Sequence, residues 1–158
     1  MIDLEKFSEA ARRAVTLADY EARYVVTGAI EPGHLVFGVV QEAPDWAAEL
    51  SAGRLTPEGV RQRLKQEYAA RLQPGPWASE EMKLSADAQA ALADAQQQAT
   101  QRGQTVVGLV HLLLALLAGK DAVPARLLAE AGLTRARLEA ALAAAGDAPP
   151  GAPATLER

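Results

Sequence analysis

The stretch Gly103-Gln-Thr-Val-Val-Gly-Leu-Val-His111-Leu-Leu-Leu-Ala-Leu-Leu-Ala118 has a counterpart earlier in the chain, Val26-Thr-Gly-Ala-Ile-Glu-Pro-Gly-His34-Leu-Val-Phe-Gly-Val-Val-Gln41. The two histidines lie 77 positions apart, and each opens a run of largely apolar residues. The correspondence extends outward at the same spacing, with Leu84, Ala88, Ala91, Ala95 and Ala99 matching Phe7, Ala11, Ala14, Ala18 and Ala22. A repeat this long is a whole folding unit copied once, not a short solenoid motif. Later the spacing becomes 78, since Leu55-Thr56 corresponds to Leu133-Thr134, Val60 to Leu138 and Leu64 to Leu142. One residue inserted in a loop leaves every helix face in register.

Alanine and leucine supply most of the bulk while aromatics are only 4% of the 158 residues, which favours closely packed helices over sheets. The net charge of −4 and the absence of any basic cluster beyond Arg12-Arg13 leave no footprint for nucleic acid. With no cysteine, a disulfide framework and a thiolate metal site are both excluded. The start, Met-Ile-Asp-Leu-Glu-Lys, lacks the pattern of an export signal, and the apolar run Val106 to Ala118 is too short to span a bilayer. The expectation is a soluble cytoplasmic protein with no membrane and no nucleic-acid partner.

Local signals place eight helices. Ser8 is positioned to cap the first, with Glu9 in its first turn. Phe7, Ala11, Ala14, Ala18 and Ala22 form a narrow apolar stripe, and Asp19, Glu21 and Arg23 read as solvated charge on the outer face. Pro32 suits the first turn of a second helix whose Leu35, Val36, Phe37, Val39 and Val40 predict burial nearly all round. Asp45 is the expected cap of a short third helix through Trp46 and Leu50, closed by Gly53. Thr56-Pro57-Glu58 opens a fourth, with Val60 and Leu64 inward. The second copy follows the same plan, its short third helix running Val123 to Ala131 before Gly132. The prediction is an all-α fold of two four-helix repeats, residues 1–71 and 84–145, joined by a linker at 72–83 and followed by a disordered Pro/Ala/Gly-rich tail at 146–158. Each repeat alone has a marginal core, so the copies are expected to pack together as one unit about a pseudo-twofold axis.

Reactive constellations are scarce. His34 and His111 occupy equivalent first-turn positions, but Glu31 has Gly108 as its counterpart, so no carboxylate is supplied twice to complete a metal site. Packing or a loop-to-helix hydrogen bond is the expected role of both histidines, with no metal, no cofactor and no catalytic residue. Ala118-Gly119-Lys120-Asp121 lacks the leading glycine and trailing hydroxyl of a phosphate loop. Trp46 reads as core; Trp77, in the polar linker, reads either as an interface anchor or as folded back on the repeats.

Phe7-Ser-Glu-Ala-Ala-Arg-Arg-Ala-Val-Thr-Leu-Ala18, the Val107-Gly108-x-x-His111-Leu-Leu-Leu-Ala-Leu-Leu core and Val123-Pro-Ala-Arg-Leu-Leu-Ala-Glu-Ala-Gly-Leu133 together resemble the Clp N-terminal repeat domain of Clp-type AAA+ unfoldases. The resemblance spans roughly residues 3–145. It implies an eight-helix pseudo-twofold fold that is not itself an enzyme and that binds adaptors, substrates or the unfoldase in a Clp protease system. The family's Gly-Thr-Glu-His run, whose glutamate receives phosphoarginine in some members, is replaced here by Pro32-Gly33 before His34 and Leu109-Val110 before His111. Without that acid the guanidinium partner is lost, and Leu109 and Val110 are expected to offer an apolar contact surface instead. The implied partner-binding residues are Leu4, Glu31, Pro32, Gly33, Leu84, Leu109 and Val110. A decoy that sequesters peptides or small ligands, and a substrate-receiving domain of a full-length Clp ATPase, are the alternatives.

Overall fold

Ser8 and Ser85 begin the two repeats in the same way, each hydroxyl accepting from a backbone N–H three residues on, Ala11 and Ala88, at 3.0 Å. The computed structural model describes residues 2–72 and 82–145. Among the described residues there are eight α-helices: α1 Glu9–Ala22, α2 Pro32–Glu42, α3 Pro44–Leu50, α4 Pro57–Glu67, α5 Ala86–Gln101, α6 Leu109–Ala118, α7 Ala122–Glu130 and α8 Arg135–Ala145. Two short 3-10 turns, Leu4–Lys6 and Ala69–Arg71, flank the first repeat.

The boundaries follow the local chemistry. Thr56 caps α4 by accepting from Gly59 N–H at 3.1 Å, with Pro57 in the first position, where its missing N–H costs nothing. Gly53 and Gly132 take φ of +82° and +81° at the closures of α3 and α7. One cap differs from expectation: α3 starts at Pro44 with Ala43 at the cap, and Asp45 lies inside the first turn. Proline tolerates that first position, so the helix begins a residue earlier and the Asp45 carboxylate serves the helix dipole instead. The expected linker is anchored at its end, because the Lys83 carbonyl accepts from Ile30 N–H at 2.9 Å. Trp77 and the tail from 146 onward lie outside the described residues.

One apolar cluster draws on both repeats and contains the whole alanine stripe of α1 and its equivalent on α5. Residues Pro32 through Val40 of α2 and Leu109 through Leu116 of α6 are all buried. Gly38 explains how α1 and α2 pack so tightly: a Cβ at that position would land on the carbonyl oxygen of Ala14. The absence of that one carbon lets the two backbones meet.

The pseudo-twofold relation is visible in the backbone. Val107 N–H donates to the Lys6 carbonyl at 2.9 Å and Ser8 N–H to the Val107 carbonyl at 2.8 Å. Ile30 N–H donates to Lys83 at 2.9 Å and Ser85 N–H to Ile30 at 3.0 Å. Shifted by 77, each pair becomes the other, so each repeat ties the lead-in of its own first helix to the loop before the second helix of its twin. Across the rim, Glu67 of α4 accepts from Arg126 of α7 at 2.6 Å, and Arg63 reaches both Glu67 and Glu130. The Arg126 guanidinium holds the Glu67 carboxyl below its ordinary value. Such exposed pairs add little, and the shared apolar core carries the association of the repeats.

Candidate protein-interaction surface

The starts of α2 and α6 are built around the two histidines. His34 Nδ1 accepts from the Glu31 backbone N–H at 2.8 Å, which leaves the proton on Nε2, 2.8 Å from the Val25 carbonyl. His111 does the same: Nδ1 accepts from Gly108 N–H at 2.9 Å, and Nε2–H faces Gln104 Oε1 at 2.7 Å. Each imidazole therefore satisfies a donor at its helix start and clamps the preceding loop, with both ring nitrogens engaged. Burial drives the His34 pKa down to about 4, against the upward pull of its bond to Val25, so the ring is neutral at ordinary pH. Among the described residues no group of three or more His, Asp or Glu could hold a metal ion.

Most of the other residues implied as binding lie inside. The buried Glu31 carboxylate accepts from Arg71 Nη2 at 2.7 Å, and the same guanidinium stacks 5.0 Å from the Tyr68 ring. Pro32 is buried at the first position of α2. Gly33 N–H donates to the Tyr68 hydroxyl at 3.1 Å, and any Cβ there would collide with that oxygen and with Leu64. Burial pushes the Tyr68 phenol above its usual range. Leu109 and Val110, expected to form an apolar surface, are 1% and 3% exposed. The reason is the repeat itself: Val110 stands in register with Gly33, and in α6 its own side chain occupies the interior. Leu4, by contrast, is 41% exposed, and Leu84 is half-buried beside its bridge to Ile30.

The face of α1 read as solvated charge is also different. Glu21 is 1% exposed and grips Arg61 of α4 through two hydrogen bonds of 2.8 and 2.7 Å. The Arg61 guanidinium lies 4.8 Å from the Tyr24 ring and 5.2 Å from that of Phe37. Tyr20 and Tyr24 remain 58% and 56% exposed, and Leu72 is exposed beside Arg71. The spacing of four between the tyrosines, off the alanine stripe, was the signal available for an outward aromatic pair. The juxtaposition of Tyr24 with Arg61, 37 residues on, left no local trace.

Concavities lie between helices among the described residues. One of roughly 280 Å³ lies between α4 and α7, lined by Arg54, Leu55, Val60 and Leu127 among others. Another, roughly 470 Å³, runs between α5 and the end of α6.

Residues 83–155 match the model of the Clp repeat (R) N-terminal domain. The N-terminal domain of the caseinolytic protease associated chaperone ClpD from Arabidopsis thaliana superimposes with a TM-score of 0.70 at 21% identity, over 87% of this chain and 92% of that one. The chain has the Clp N-domain fold. The Hsp104 N-terminal domain from Candida albicans shares it at a TM-score of 0.67 and 19% identity, covering 91% of this chain and 94% of that. So does a chain from a structural investigation of a malarial protein secretion system, at a TM-score of 0.73 and 16% identity, over 88% and 93%. The eight helices and their pseudo-twofold packing are thus those of the Clp N-domain fold. No helix among the described residues is long and apolar enough to cross a membrane.

Proposed function

We propose that this chain is a non-enzymatic accessory or regulatory module of a Clp ATP-dependent protease system, acting in the cytoplasm on substrate polypeptides, adaptors or the unfoldase. The observation that carries the reading is where apolar surface remains. On a Clp N-domain fold whose buried histidines and glutamates are spent on internal bonds, Leu4, Tyr20, Tyr24 and Leu72 are left in solvent. Tyrosine beside arginine is the chemistry of interface hot spots, and the pair with Arg61 offers it directly. Leu4 and Leu84, at the lead-ins of α1 and α5, extend the contact surface. Glu31, Pro32, Gly33, Leu109 and Val110 shape it from beneath.

A reconstituted Clp degradation assay tests the proposal. Added protein that changes turnover of every substrate acts on the machine; a change limited to substrates it binds makes it a decoy. No effect, together with no crosslink to any Clp ATPase, protease subunit or adaptor, would remove the reading. The solved structures with this fold include N-terminal domains of larger chaperones, which favours a second reading as the substrate-receiving part of a Clp ATPase. Fusion ahead of an ATPase module stripped of its own N-domain would then restore substrate delivery.

A further inference from the structure

The groove between α5 and α6 has a counterpart in the first repeat that is bridged by charge. In register with Ala86, Ala90 and Gly119, which line it, the first repeat carries Glu9, Arg13 and Glu42. There Arg13 lies across the α1–α2 crossing, its Nε and Nη2 2.8 and 2.7 Å from Glu42 and its Nη1 3.7 Å from Glu9. One guanidinium, with its fork on carboxylates of both helices, spans that crossing. In the second copy the three side chains that make the closure are reduced to methyl groups or nothing, and roughly 470 Å³ stands open. Alanine has no rotamer with which to collapse into the space.

The charges on the groove's walls favour the same kind of occupant. Asp87 and Asp94 lie seven residues apart on α5, two helical turns or about 10 Å. Neither enters an ion pair among the described residues, and Asp94 accepts only a long 3.4 Å bond from Gln98. Lys120, next to Gly119, is the one cation among the groove's lining residues. The balance is acidic over an apolar floor. An arginine suits both: its stem packs on alanine and its planar fork matches a carboxylate.

We propose that this groove docks an arginine-bearing segment of a partner polypeptide, which supplies in trans the guanidinium that Arg13 supplies in the first repeat. The proposal rests on the protein-binding reading and names the chemistry of one of its contacts.

The probe is a capped alanine-based helical peptide with two arginines seven residues apart, titrated into the isotope-labelled full chain. Amide shifts should move at residues 86–98 and 115–120. Replacing both aspartates (D87N/D94N) should weaken binding about tenfold, the loss of two partly exposed charge pairs. Ala90→Arg with Gly119→Glu should abolish it by rebuilding the first repeat's closure. That variant keeps its fold, since a Cβ at Gly119 meets only ordinary contacts at 3.5 Å and beyond, and Ala90 is exposed. An unchanged amide spectrum outside the groove verifies this. Equal binding by a peptide with glutamine for arginine, or shifts confined to other helices, would overturn the proposal. So would wild-type affinity in the closure variant. If the closure variant still crosslinks to Clp components while losing the peptide, the groove assignment holds and other surfaces carry the Clp contact. Peptide binding without any Clp crosslink in the wild type would instead sink the Clp reading alone.

Discussion

The first repeat spans its helix crossing with Arg13 and the second has Ala90 at that position, although one backbone plan serves both. Where α1 and α2 meet at Gly38 with Arg13 laid across them, α5 and α6 have Ala115 in that register and an open groove. Where Gly33 makes room for the Tyr68 hydroxyl, Val110 fills the space itself. The tie between first and fourth helices survives with its charges rearranged: Glu21 holds Arg61 in one copy, while in the other Gln98 and Glu139 share Arg102 at 2.9 and 2.8 Å. What the copies share is backbone chemistry, namely the serine caps, the histidine clamps and the exchanged bridges. Side-chain packing was solved twice, and differently.

That contrast can be broken at its tightest point. Gly38→Ala places a methyl against backbone that no rotamer change can move, so it should cost about 3 kcal/mol or more despite alanine's better helix propensity. Urea unfolding measures this, and a cost below that of an ordinary surface change would mean that the α1–α2 approach is looser than described. The histidine clamp comes next. With its folded pKa near 4, against an unfolded value near 6.5, His34 gains its proton on unfolding between those limits. Stability should therefore be full above about pH 6.5 and fall with decreasing pH toward 4, by up to about 3 kcal/mol, and His34→Gln should flatten that slope in melts taken across the window.

The rearranged tie should separate the repeats by a smaller margin. Glu21→Gln leaves Arg61 without its buried carboxylate and should cost about 2 kcal/mol, reduced from the fully buried case because Arg61 is partly exposed. Gln98→Ala, which removes a neutral partner, should cost less than that in the same denaturation series. The smallest effect belongs to Ala115→Gly, about 1 kcal/mol from helix propensity alone. A larger loss there would show that Ala115 packs against α5 as tightly as Gly38 does against α1.

Several features were legible because their causes lie within a turn or two of chain. Ser8, Pro32, Thr56 and Gly132 act on their immediate neighbours, and the alanine stripe needs only the helical period. The role of Asp45 missed by a single residue, since Pro44 competes for the same helix start. Glu21 could not be read correctly, because its partner is 40 residues away and only the crossing of α1 with α4 brings it near. Leu109 and Val110 failed for a related reason: an apolar pair at a helix start looks alike whether water or a neighbouring repeat covers it.

The linear chain by itself determined that there are two copies of a four-helix unit, where most of the helices start, and that both histidines sit at equivalent starts. These depend on backbone donors, caps and periodicity, which act locally. Only the tertiary packing decided which polar groups were paired, which apolar residues stayed in solvent and which of two equivalent crossings a guanidinium spans. Exposure and long-range pairing belong to surfaces that exist only once the two copies have closed on each other.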